Sequence, residues 1–102
     1  MKKITLSLFL ILLCRAVFAD DKMALGLDVY NNKAQCGVCH TLQAAGSSGD
    51  IGPNLDQLKP SMDRIIYVVI NGIGVMQAWG SILTYDEIEA VSYYVFNSAN
   101  NN

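Results

Sequence analysis

The chain has 102 residues, 52% of them hydrophobic and 16% charged, with seven basic and nine acidic side chains and one histidine. That length allows one small domain. The acidic balance excludes a nucleic-acid binder, which needs a basic face to neutralise phosphates.

The first twenty residues read MKKITLSLFLILLCRAVFAD. Lys2 and Lys3 are a basic start, Ile4–Leu13 is a short apolar run, and Val17 and Ala19 offer the small residues of a cleavage site. This is the three-part layout of a secretory signal, expected to be removed after Ala19. The apolar run is short of the roughly 20 residues of a permanent span. The alternative is an uncleaved membrane anchor. A lipid attached at Cys14 is disfavoured by the bulky Leu13 before it. Cleavage leaves residues 20–102 as a single domain with four basic and nine acidic side chains, a net charge of −5. Such a surface suits solubility in an exported compartment and steering toward a basic partner face. A domain this small buries a modest core and often needs a cofactor or staple.

Leu25–Cys36 has Leu25 and Val29 at helical spacing, which predicts a helix leading into the next segment. The loop expected at Ala44–Leu55 is rich in Gly, Ser, Asp and Pro. Ser61 is an N-cap and Asp63 suits the first turn of a helix through the apolar run Ile65–Ile70, closed by Gly72. Within that run Tyr67 reads as core, the alternative being a hydroxyl that donates to the Met76 sulfur. NGIGVMQAWG, with three glycines, is irregular. Thr84 and Glu87 form a capping box, and Ile88, Val91, Ser92 and Val95 share one face of a last helix. SANNN at the end reads as frayed. With no alternating pattern of strands, the fold class is all-α.

The chemistry-bearing stretch is AQCGVCHTL, residues 34–42. A Cys-x-x-Cys pair can hold a disulfide, a zinc ion, a redox thiol pair or a covalent haem. Zinc wants four ligands, and residues 20–102 offer Cys36, Cys39 and an adjacent His40 with no further Cys or His. A redox pair expects a βαβ context. A disulfide across so small a loop stabilises little and leaves His40 unexplained. Covalent haem uses all three: each thiol adds to one vinyl group, and His40 turns under the iron as proximal ligand. A second histidine ligand is impossible. Among Met23, Met62 and Met76, only Met76 lies in a loop whose glycines let backbone approach a flat ligand. Met76 is therefore the expected sixth ligand. A neutral thioether favours ferrous iron and raises the potential, and two protein ligands close the iron to small substrates.

CGVCHTL, GPNL, NGIGVMQAW and LTYDEIEAVSYYV, in that order, resemble the small single-haem cytochromes c of bacterial periplasms (class I). The likeness runs from about residue 25 to 96. It implies a cytochrome c fold: N- and C-terminal helices packed together, with haem enclosed by the intervening helix and loops. It implies that Cys36 and Cys39 carry haem c, that His40 and Met76 ligate its iron, and that the Pro53 carbonyl accepts the proximal imidazole N–H. Leu55 would pack on the haem and Trp79 near a propionate. Gly26 and Tyr30, with Tyr93 or Tyr94, look like the contact between terminal helices. The interval from Tyr30 to Cys36 is longer than usual for the family. The proline that commonly follows the ligand methionine is Gln77 here. The function implied is one-electron transfer between redox partner proteins in the periplasm, not catalysis. A narrower resemblance of the loops at 40–55 and 72–76 is to cytochrome subunits of periplasmic dehydrogenases, including sulfite dehydrogenases. The alternative of another class is a haem sensor with a labile Met76.

Overall fold

The computed structural model describes residues 19–101, so the expected signal segment falls almost wholly outside the described residues. Helix α1 is described over residues 19–28 and runs into a π-helical turn, Val29–Lys33. A 3₁₀ turn at Cys36–Val38 follows. Strands β1 (Thr41–Leu42) and β2 (Ser47–Ser48) form an antiparallel hairpin around a second 3₁₀ turn, Gln43–Ala45. Helices α2 (Leu55–Leu58), α3 (Met62–Asn71) and α4 (Tyr85–Asn100) complete the order. Among the described residues, no helix is long and apolar enough to cross a membrane.

The caps read from sequence are in place. The Ser61 hydroxyl accepts from Arg64 N–H, and Thr84 and Glu87 satisfy each other's backbone amides. α4 is the core element: Ile88, Val91, Tyr94, Val95 and Ala99 join Val29, Tyr30, Leu42, Leu55, Ile65 and Leu83 in one buried cluster. The two-residue strands are a minor addition to an all-α fold. Tyr67, read as core, is 61% exposed. A continuous apolar run does not say which face is turned inward. The C-terminus also differs. α4 continues to Asn100 with Ala99 fully buried, and Lys59 Nζ donates to the Ala99 carbonyl at 2.8 Å. That lysine satisfies one of the carbonyls a helix end leaves open.

α1 crosses α4 at Gly26. A Cβ there would lie 2.3 Å from the Ala90 carbonyl oxygen and 2.5 Å from Tyr94 Cβ. One turn on, the Tyr30 and Tyr94 rings stand 6.0 Å apart at 56°. Tyr94, not Tyr93, is thus the aromatic partner; Tyr93 receives Lys22 over its face. Burial pushes the Tyr30 phenol up to about 12, and its hydroxyl shares a 2.8 Å hydrogen bond with Ser47. Gly26→Ala should lower stability by about 3 kcal/mol, since the Cβ meets backbone that cannot yield. The thermal midpoint should fall by roughly 10 °C or more; an unchanged melt would contradict the close crossing.

Two ion pairs fasten the same crossing: Lys22 to Glu89 at 2.6 Å, and Lys33 to Glu87. The Lys33 ammonium, then the Thr84 amide, hold the Glu87 carboxyl below its ordinary 4.5. A depressed carboxyl stabilises the fold above its unfolded-state value and loses that contribution as pH falls through the folded one. Glu87→Gln keeps a cap for Thr84 N–H but no charge. Its stability should be lower at neutral pH and should fall less between neutrality and acid than that of the wild type. Melts from pH 7 down to below 4 would show it, and parallel curves would contradict the pairing.

Candidate functional site

The Cys–His turn is shaped by backbone. Gln35 takes a left-handed conformation (φ 51°) that turns the chain out of the π-helical turn. The π turn and Gln35 take up the long interval between Tyr30 and Cys36. The amides of Cys39 and His40 then both donate to the Cys36 carbonyl, at 3.2 and 3.0 Å. This winds both cysteines and the histidine onto one short turn. Cys36 and Cys39 are unbridged thiols. Burial pushes the Cys36 thiol up to about 11, the opposite of the lowered value a redox dithiol needs. Among the described residues no three Cys, His, Asp or Glu side chains are grouped to hold a metal ion by themselves.

The segment after the hairpin lies across this turn. Gly52 N–H donates to the Cys39 carbonyl at 2.8 Å, and Gly49 N–H to that of His40 at 3.2 Å. His40 Nδ1 stands 2.7 Å from the Pro53 carbonyl oxygen. A carbonyl only accepts, so Nδ1 carries the proton and Nε2 keeps its lone pair for a metal. Gly52 backs the ring: a Cβ there would lie 2.6 Å from Cε1 and 3.0 Å from Nδ1. Pro53 was legible in sequence. Gly52 and Gly49 were not, because a glycine beside a proline signals a turn without saying what lies against it. Asn54 caps α2 through the Gln57 amide, and Leu55 enters the core cluster at 9% exposure. GPNL is therefore both the imidazole's hydrogen-bond partner and the start of a helix.

Met76 lies on the other connection, between α3 and α4. Ile73 and Met76 exchange two backbone hydrogen bonds, 3.1 and 2.9 Å, around Gly74 and Val75. Met76 is half-buried, and Val75 at the tip is 91% exposed. Trp79 is partly buried against the core, its amide 2.8 Å from the Val69 carbonyl oxygen. The segments that carry Cys36 to His40, Pro53 and Met76 also present Val38, Ile51, Ile73 and Val75 as large exposed apolar side chains. The donor set fits a covalent haem: two thiols on one turn, an imidazole with Nε2 available, and a thioether, on segments rich in apolar surface.

Comparison with known proteins agrees. The family model described as cytochrome c oxidase, cbb3-type, subunit III matches residues 21–95. Cytochrome c6 of Tetradesmus obliquus is 34% identical over 87 residues, covering 76% of this chain and 91% of that protein. Chloroplastic cytochrome c6 of Chlamydomonas reinhardtii is equally similar, though the match spans 55% of its length. The crystal structure of the c-type cytochrome SorU from Sinorhizobium meliloti superposes with a TM-score of 0.74 at 48% identity, covering 78% of this chain and 93% of that one. The chain therefore belongs to the small single-haem class I cytochromes c, electron carriers whose family implies a covalently bound haem c.

Proposed function

We propose that residues 20–102 form a periplasmic one-electron shuttle, exported by the segment 1–19, with haem c held through Cys36 and Cys39 and its iron ligated by His40 and Met76. The observation that carries this is the 2.7 Å bond from His40 Nδ1 to the Pro53 carbonyl, which orients Nε2 and raises its basicity. When bound, haem supplies the ferric/ferrous couple. The chain's residues do the rest. Both cysteines fix the macrocycle, the imidazole and thioether close the iron to small molecules, and the soft sulfur favours the reduced state. Leu55 would pack against the group and Trp79 would lie near a propionate, as the resemblance implies.

The partner surface follows from charge. Residues 20–102 carry nine carboxylates against four basic side chains, two of which, Lys22 and Lys33, are paired with glutamates. The net negative exterior steers toward a partner with a basic docking face. A periplasmic dehydrogenase of the sulfite type is the narrower form of this reading. An optical redox titration of the exported, mature protein tests it. One reversible one-electron wave is expected, with a ferric absorption band at the red edge that marks iron–thioether bonding. The reduced form should resist carbon monoxide. Ready binding of carbon monoxide would favour the sensor reading instead.

A further inference from the structure

Gln77 stands where the family commonly has a stiffening proline, so something else must hold the Met76 loop. The structure offers a closed neck. Three carbonyls in the last turn of α3 receive an amide from the chain beyond it: Val68 from Gly72 at 2.7 Å, Val69 from Trp79 at 2.8 Å and Ile70 from Gly80 at 3.2 Å. The loop thus leaves α3 and returns to the same helix end. At the point of departure Gly72 adopts φ 72° and ψ 170°, a conformation essentially reserved for glycine. A Cβ at Gly72 would lie 2.7 Å from the Met76 carbonyl oxygen, 2.8 Å from Ala78 N and 2.9 Å from Gln77 C. The backbone on both sides of Gln77 is therefore packed directly onto Gly72. At the return, a Cβ on Gly80 would lie 3.0 Å from the Ile70 carbonyl oxygen.

We propose that Gly72 is a positioning residue for the iron's thioether ligand, and that its close packing against residues 76–78, with the clip of Trp79 and Gly80 onto α3, replaces the missing proline. This rests on Met76 being the second ligand. The clip fixes where the loop starts and ends. The Ile73–Met76 bridge fixes its tip, so the Met76 backbone has little freedom to carry its sulfur away.

The test uses exported holoprotein. Gly72→Ala should keep covalent haem by mass and a cooperative melt. It should lose the ferric red-edge band, show a lower potential and bind carbon monoxide when reduced. Gly46→Ala is the control: Gly46 is equally left-handed (φ 70°), has nothing within 4 Å of an added Cβ, and lies in the hairpin turn. It should keep the band and exclude carbon monoxide. Unchanged band, potential and ligand exclusion in Gly72→Ala would overturn the proposal, as would equal loss in Gly46→Ala. Should Gly72→Ala yield no holoprotein, Gly80→Ala decides. It should weaken the band and admit carbon monoxide more readily, and wild-type behaviour would overturn the proposal. Met76→Ala in the same series separates the two ideas. If it leaves the spectrum unchanged the ligand assignment is wrong; if it alone removes the band, the assignment stands and the role of Gly72 falls.

Discussion

His40→Ala should give an exported chain with no cooperative thermal transition. The substitution removes the Nε2 donor, the partner of the Pro53 carbonyl at 2.7 Å, and the ring that lies against Gly52. A domain of this size has a total stability of only about 4–12 kcal/mol. Its buried cluster is small, and the segments around the site present Val38, Ile51 and Ile73 as exposed apolar surface. On this account those side chains are covered by haem, so a chain that cannot anchor the iron loses stabilisation comparable to the whole. Circular dichroism melts check this. A cooperative transition near that of the wild type would show that the iron–imidazole bond is not part of what holds the fold.

Met76→Ala should leave the haem attached, because both thioethers and the imidazole are untouched, but change its electronics. Axial ligands set haem potentials over about 0.8 V across proteins. Replacing a neutral thioether, which favours ferrous iron, should lower the midpoint on the order of 0.2 V. The red-edge band should vanish and carbon monoxide should bind the reduced form. If spectrum and potential stay as in the wild type, the sulfur ligates nothing and the iron's second position is filled some other way.

What could be read from sequence was local and repeated. Thr84 with Glu87, followed by Ile88, Val91, Ser92 and Val95, states α4 several times over, by cap and by face. Ser61 and Gly72 bracket α3 in the same manner. The parts that escaped depend on contacts distant in sequence or on spans too short for a pattern. β1 and β2 have two residues each, fewer than any alternation can reveal. The π-helical turn at Val29–Lys33 has no residue-type signature. The asparagine-rich terminus reads as frayed, yet Asn97 and Asn100 donate to carbonyls one turn back, and Lys59, forty residues away, holds Ala99. Tyr67 shows the limit of periodicity inside a run that is apolar at every position.

The site divides along the same line. Cys36, Cys39 and His40 are adjacent in sequence, and the chemistry follows from three residue types at fixed spacing. Pro53 was read through the resemblance, and its carbonyl stands 2.7 Å from His40 Nδ1; Met76 was singled out by its glycine loop, and its ligation of iron remains the proposal that Met76→Ala tests. Gly49, Gly52 and Gly72 act by having no side chain where backbone or imidazole comes close, and such a role shows only in three dimensions. Gly26 was read through the resemblance, as part of the contact between terminal helices; its actual neighbours, Ala90 and Tyr94 of α4, show only in three dimensions.

The proposed electron transfer depends on a porphyrin bonded to Cys36 and Cys39. The most direct measurement is the intact mass of the mature protein, exported from a host that carries the haem-attachment machinery. The expected value is the mass of residues 20–102 plus one haem, retained under denaturing conditions. That increment should be lost when Cys36 and Cys39 are both replaced by serine. A wild-type protein at the mass of its bare polypeptide would contradict it.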